Sequence, residues 1–424
     1  MSSSLGPTAF VIFGELNIRV TEPYMDEPFH IPQVQAYCNG DWSHWDPKIT
    51  TPPGLYILTI FLKSIFLFKC RLPTLRLTSL LTLLLLPLAA TRLLCYHKRI
   101  RPPPSMFTPS LDAVVLSTFP IAWFFGFLYY TDVPSLFLAG RHWIAGVLGI
   151  ISCAFRQTNI IWVLYACASS QLVHLRFRRA PSSGTRPPKF YDPPALVAGP
   201  LDLVRSVLSV SGILADILPA LVPYVLVLVL FGVFVVWNGG IVLGDKSNHV
   251  PSLHIPQLYY FIAFATMMGW PALLSGDGGW KMLINGVRKR IFGSRRINHP
   301  FLLSDNRHYT FYVWRRVFLL HPIVPYLLIP GYILCGWIWF LRVGCEQTLL
   351  QTLLLPLCTL PILLPTPLLE PRYFLIPYVL MRAQLGDVQT WGSLLEGFWY
   401  GVINAGTMYI FLYKEREGVG RFMW

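Results

Sequence analysis

Residues 221–237, LVPYVLVLVLFGVFVVW, run for 17 positions without a charged side chain. As a helix at 1.5 Å per residue this run spans about 26 Å, most of the roughly 30 Å hydrocarbon core of a bilayer. A second run, LTSLLTLLLLPLAA over 77–90, is equally apolar. No water-soluble domain of ordinary size buries several such segments. Charged residues make up only 13% of the chain, against about 25% in soluble domains. The 36 prolines and 31 glycines exclude one continuous coiled coil. The chain reads as an all-α polytopic membrane protein.

Candidate spans fall at 8–20, 54–69, 74–95, 111–130, 141–168, 213–237, 255–275, 317–341, 347–366, 371–384 and 395–413. They predict about eleven crossings in a single multi-spanning domain over 1–424. The first span is the weakest, because Glu15 interrupts it; either it leans on protein rather than lipid, or the start is truncated. No cleavable signal peptide is expected there. Three stretches concentrate the basic residues, at 98–101, 173–190 and 281–296. Short basic loops between apolar runs mark the cytoplasmic side. No aromatic-interleaved basic domain accompanies them, so no nucleic-acid partner is expected. The polar, Pro/Ser/Arg-rich stretch 169–212 is expected to be a flexible cytoplasmic linker, with a surface helix near 198–212.

The charge rule meets one conflict. If 54–69 and 74–95 both cross, the loops at 21–53 and 97–108 share a side. Yet the first carries five acids and one lysine, whereas the second is basic. Residues 54–69 cover only about 24 Å as a helix. Either that segment is re-entrant or the basic loop breaks the rule. None of the eight cysteines forms a CxxC pair, and most lie in apolar runs. They are expected to be buried, inert thiols, with no disulfide framework and no zinc site.

Polar residues in five places can carry chemistry. The loop EPYMDEPFHIPQVQAYCNGDWSHWDPKITTPPGLY, residues 22–56, combines Asp26, Glu27, Asp41 and Asp46 with His30, Gln33, Trp42 and Trp45. Adjacent carboxylates near a bilayer repel each other and resist desolvation, which suits one of them to act as a general base. Its aromatic rings suit stacking on sugar faces, or a place at the headgroup level. In FRQTNIIWV, residues 155–163, Arg156, Gln157 and Asn159 interrupt an apolar segment and should face a cavity or another helix. In NGGIVLGDKSNHVPSLHIPQLYY, residues 238–260, the glycines could present N–H groups to an anion near Asp245, Lys246, His249 and His254. Asp245 stands where a P-loop needs its lysine, which excludes that ATPase motif. HPFLLSDNRHYTFYVWRR, residues 299–316, offers Asn306, Arg307 and His308. LLEPRYFLIP, residues 368–377, offers Glu370, Arg372 and Tyr373. Arginine donates two parallel hydrogen bonds to a phosphate. Each of these arginines could equally be an interfacial anchor.

PYMDEPFHIPQVQAYCNGDWSHWDPKITTPPGLY, YYTDVPS, FRQTNIIWV, NGGIVLGDKSNH, HPFLLSDNRHYTFY and EPRYF together resemble the dolichyl-phosphate-glucose-dependent α-1,2-glucosyltransferases. The motifs are long, stand in family order and cover the chain from 22 to about 415. The resemblance implies a GT-C glycosyltransferase of the endoplasmic reticulum membrane, with about eleven transmembrane helices and a functional first lumenal loop at 21–53. Its donor would be dolichyl phosphate glucose. Its acceptor would be the diglucosylated Man9GlcNAc2 oligosaccharide on dolichyl pyrophosphate, the product being the finished lipid-linked oligosaccharide for N-glycosylation. Such enzymes invert the anomeric centre in one displacement and need no nucleotide and no obligatory metal; no cofactor is expected. The family's acidic motif falls on Asp26 and Glu27, with Asp26 the preferred base and His30 the nearest alternative. Pro28 follows the pair where family members carry a bulky apolar residue, stiffening the backbone there. Gln33, Trp45 and Asp46 are candidate sugar contacts, and Arg156, Lys246, Arg307 and Arg372 candidate phosphate ligands. The alternatives are another dolichyl-phosphate-dependent GT-C enzyme, such as a mannosyltransferase, or a lipid or sugar transporter.

Overall fold

The computed structural model describes residues 2–133, 142–177, 190–244, 253–276, 328–365, 370–415 and 420–422, and among them it is helical with no strand. The helix that orders the rest is α4, Leu72–Lys98. Thr74 Oγ1 accepts the Arg71 N–H at its start, and His97 and Lys98 stand in its last turn, where cations meet the negative end of the helix dipole. Its 27 residues reach about 40 Å. Before it come α1 (Ser2–Arg19), α2 (Glu27–Cys38) and α3 (Gly54–Phe66).

The two ends of α4 separate the two loops of the charge conflict. Near its start, Arg76 reaches Glu27 and the backbone oxygens of Val20 and Glu22, so the acidic loop and α2 lie at that end. At its other end, Lys98 pairs with Asp112 at 2.6 Å, beside the basic loop. A disulfide joins Cys38, at the end of α2, to Cys70, two residues before α4 begins. The segments that flank α3 are therefore held together at the acidic end of α4. The loops at 21–53 and 97–108 lie at opposite ends of α4. The disulfide corrects the expectation of wholly free thiols: Cys38 and Cys70 stand in the polar stretches flanking α3, unlike most of the others.

Outward of this core α3 shows Ile57, Phe61 and Ile65, spaced four apart, while Leu55, Tyr56 and Thr59 are buried. That is one apolar stripe turned away from the protein. Proline breaks the span expected over 111–130. Pro120 lacks an N–H and pushes Phe119 into an extended conformation (φ −49°, ψ 128°), leaving α5 (Leu111–Ser117) and α6 (Pro120–Phe125). The segment 141–168 is likewise two helices, α7 (His142–Phe155) and α8 (Asn159–Phe177), folded against each other where Gly149 meets Val163. α8 runs on past residue 169, where the linker was expected to begin.

The surface helix expected near 198–212 is α9, Pro200–Ser211. Then follow α10 (Leu214–Asn238), α11 (Pro256–Leu274), α12 (Ile329–Glu346) and α13 (Leu349–Leu363). α10 ends where Gly239 adopts φ +65°, and exposes Val222, Val225, Val229, Val233 and Val236, an outward apolar surface suited to hydrocarbon. A 3-10 turn, Pro371–Phe374, precedes α14 (Leu375–Ala383), and α15 is Thr390–Tyr413. α6 is buried along its whole length at the centre of the bundle, with Phe119 stacked 4.4 Å from Tyr378. The polar interruption of α1 rests on protein, since Glu15 accepts from Arg19 and from the Tyr413 hydroxyl on α15.

Candidate active site

Four segments converge at the acidic end of α4. They are the start of α2, the stretch 129–132 that follows α6, the α7–α8 turn and the 3-10 turn before α14. Met25 sits at φ +61°, a left-handed conformation that costs a non-glycine residue about 1–2 kcal/mol. This turn sets Asp26 at the N-cap of α2, followed by Pro28 in the first turn, where proline's fixed φ and missing N–H fit helix initiation. Pro28 thus starts the helix that carries the acidic motif.

The two adjacent acids have different environments. Glu27 is fully buried and saturated. Arg76 donates to both its oxygens (2.9 and 2.6 Å), as do the backbone N–H groups of Tyr24 and Tyr129 (2.9 and 2.8 Å). No lone pair is left to take a proton from a substrate. Asp26 retains 38% side-chain exposure and meets Arg372 through one oxygen, at 2.8 Å. Its backbone N–H donates to the Tyr130 hydroxyl. Burial works to raise the Asp26 pKa, but the charge and hydrogen bond of Arg372 outweigh it, so the carboxyl titrates below its ordinary range. Burial drives the His30 imidazole in the same direction, against the pull of the Asp26 carboxylate, so His30 is neutral at neutral pH. Its Nδ1 lies 2.5 Å from the Tyr56 hydroxyl.

Arg372 also pairs with Glu370, and Arg156 pairs with the buried Asp132. The Tyr373 ring lies between the two arginines, with guanidinium carbons 5.6 and 5.9 Å from its centre. Both arginines line a small cavity with Asp132, Asn159 and Trp162. Trp162 and Ile376 also line a second, apolar cavity of about 410 Å³, walled by α4, α8 and α14 and reaching Tyr96 and Phe107 at the opposite end of α4. The polar and apolar cavities therefore adjoin the same two side chains, Trp162 and Ile376.

The other expected residues divide. Gln33 is buried and ties the loop after α2 down, donating to the His44 oxygen and accepting from the Asp46 N–H. Trp45 lies edge-on to Tyr56, at 6.4 Å. Gln157 donates to the Thr50 oxygen, and Asn159 to Ser152, so both brace the α7–α8 turn against its neighbours. Asn159 Oδ1 is left unpaired at the cavity. The glycine-containing stretch 239–244 after α10 packs on the acidic loop, with the Leu243 N–H donating to the Thr50 oxygen. A side chain on Gly244 would collide with the Pro47 oxygen. His254 is buried, its backbone N–H donates to the Leu364 oxygen, and it lines neither of the two cavities. Asp245, Lys246, His249, Asn306, Arg307 and His308 lie outside the described residues. The sequence reading missed Arg76, Tyr130 and Asp132 as site residues. A lone arginine within the apolar run 72–90 was the available signal for Arg76.

The model of the DIE2/ALG10 family matches residues 20–383. The chain belongs to that family. A human relative described as a Dol-P-Glc:Glc(2)Man(9)GlcNAc(2)-PP-Dol alpha-1,2-glucosyltransferase is 35% identical, over 98% of this chain and 96% of its own length. Relatives of the same description from Arabidopsis thaliana and Yarrowia lipolytica are each 32% identical, covering 96% and 98% of this chain and 96% of their own lengths. No solved structure matches the chain. All the site segments described above lie within the matched family region.

Proposed function

We propose that this member of the DIE2/ALG10 family transfers glucose from dolichyl phosphate glucose, in α-1,2 linkage, to the diglucosylated Man9GlcNAc2 oligosaccharide on dolichyl pyrophosphate. The observation that carries the mechanism is the contrast between the two acids: one carboxylate is saturated, and its neighbour is partly exposed beside Arg372, which lines a small polar cavity together with Arg156. Asp26 is the general base. It takes the proton of the acceptor hydroxyl as that oxygen attacks the anomeric carbon, opposite the departing phosphate. Arg372 and Arg156 face the phosphate and stabilise the charge that develops on it. Arg372 is held by Asp26 and Glu370 in the free protein, so an arriving phosphate competes for the same guanidinium and releases the base.

The apolar cavity takes the first isoprene units of the donor, and the rest of the chain stays in the bilayer. The two arginines supply the positive charge this reaction needs, without an obligatory metal or other cofactor. Glu27 and Arg76 position the base. The fold is of the GT-C class, the acidic face is lumenal and the membrane is that of the endoplasmic reticulum. A disulfide at the acidic end of α4 and the basic loop 97–108 at the other end suit that orientation.

The deciding experiment incubates purified protein with dolichyl phosphate glucose and the diglucosylated acceptor, with EDTA present. One added α-1,2-linked glucose is expected, and Asp26→Asn should lower the rate by about 10²–10⁴-fold. Transfer of mannose instead, or full activity in Asp26→Asn, would overturn the reading.

A further inference from the structure

We propose that Trp42 and Tyr37 form an outer platform for the acceptor glycan, on which the neutral hexoses preceding the reactive hydroxyl stack; the inference rests on the glucosyltransferase reading. Trp42 is 59% exposed on the loop after α2. Its inner side packs on Tyr37, with ring centres 5.1 Å apart and planes 34° from each other. From there a ladder of rings leads inward: Tyr37 to Tyr56 at 5.9 Å, Tyr56 to His30 at 5.8 Å, and His30 to Tyr130 at 6.4 Å. Tyr130 accepts the Asp26 N–H, so the ladder starts at an exposed indole and ends at the base.

The chemistry along this path suits a neutral sugar. A pyranose presents a face of C–H groups to an aromatic ring and hydroxyls at its rim. Asp41, beside Trp42, is exposed and accepts from the N–H and hydroxyl of Ser43, which leaves carboxylate lone pairs for sugar hydroxyls. An acidic loop repels phosphate headgroups and accommodates uncharged hexoses. The apolar stripe that faces outward here belongs to α3, at Ile57, Phe61 and Ile65.

The platform is also rigid before any ligand arrives. Gln33 fixes the loop at His44 and Asp46. Lys63 donates to the Cys38 oxygen, Gln35 donates to the Cys70 oxygen, and the disulfide closes the same end of α2. A preformed surface spends little of its binding energy on ordering.

Two readouts test the assignment on the full-length protein. The first is binding of the free diglucosylated oligosaccharide, without lipid, in the absence of donor. Trp42→Ala should weaken it at least tenfold and Trp42→Phe should restore most of it. The second is transfer to a short-chain, water-soluble acceptor in detergent. There Trp42→Ala should raise the acceptor KM at least tenfold while the donor KM stays within about twofold. An indole that merely anchors the loop at the membrane surface would change neither. Oligosaccharide binding at wild-type strength in Trp42→Ala overturns the platform whether or not transfer is observed. Binding without transfer in the unaltered protein leaves the platform standing and moves the fault to the donor or the reaction.

Discussion

Asp26 and Glu27 are neighbours in sequence, yet substitutions at the two should fail in different assays. Glu27→Gln leaves the Arg76 guanidinium, fully buried beside it, without its counter-charge. Breaking one partner of such a pair costs about 3–5 kcal/mol, so the variant should unfold at markedly lower temperature. Adding Arg76→Met should recover part of that loss, which a thermal-melt series can measure. Asp26→Asn should melt close to the unaltered protein and lose transfer. Arg372 sets the pH behaviour. Its charge outweighs burial and holds the Asp26 pKa down, so the folded state favours the carboxylate. That contribution is fully present above the unfolded-state value, so at neutral pH, and is lost as pH falls from there through the depressed folded value. Arg372→Gln removes the main opposition to burial, leaving only the weaker pull of His30 and Arg156, so it raises the Asp26 pKa and should move the acid limb of kcat/KM to higher pH. An acid limb unmoved by this change would mean that another group is the base.

At the scale of elements, the decisive unit is α2 with α3 and the disulfide that closes them onto α4. The bond spans a sequence separation of 32 residues, and closing a loop of that size stabilises the fold by about 3–4 kcal/mol in the chain-entropy account. Cys38→Ser with Cys70→Ser should lower the unfolding temperature accordingly. It should also weaken acceptor binding more than donor binding, because α2 carries the acidic motif and the loop behind it carries Trp42, Trp45 and Asp46. The donor cavity, walled by α4, α8 and α14, should be less affected. Equal damage to both KM values would show that the clamp serves the whole bundle. The breaks in the other spans follow local chemistry. Pro120 divides one expected helix and Pro371 sets off the short turn that presents Arg372, while Arg156 and Gln157 leave the helical path for partners on other segments.

The molecule as a whole is organised by two opposite faces, and that arrangement can be read directly. In sealed microsomes, with Cys345 replaced, a single cysteine at Ser105 should react with an impermeant thiol reagent. One at His44 should react only after the membrane is opened. Both positions are exposed, on the basic and the acidic face respectively. Labelling of both in sealed vesicles would place the loops on one side and send α3 across the membrane after all.

Apolar runs, charge segregation and proline placement are local properties, and from them the sequence alone determined a helical membrane protein, the approximate position of many of its apolar helices, an acidic loop apart from basic stretches, and the family motifs. It could not tell Asp26 from Glu27, because that distinction depends on Arg76, about fifty positions away, and on the N–H of Tyr129, about a hundred away. Nor could it tell that the segments flanking α3 meet, since hydropathy registers how apolar a segment is but not which ends are joined. The bond between Cys38 and Cys70 joins them. Tertiary structure also brought Arg372 to Asp26 across 346 positions and turned a scatter of aromatics into a ladder toward the base. Burial and charge pairing are sums over neighbours in space, and the fold alone determines which neighbours a residue has.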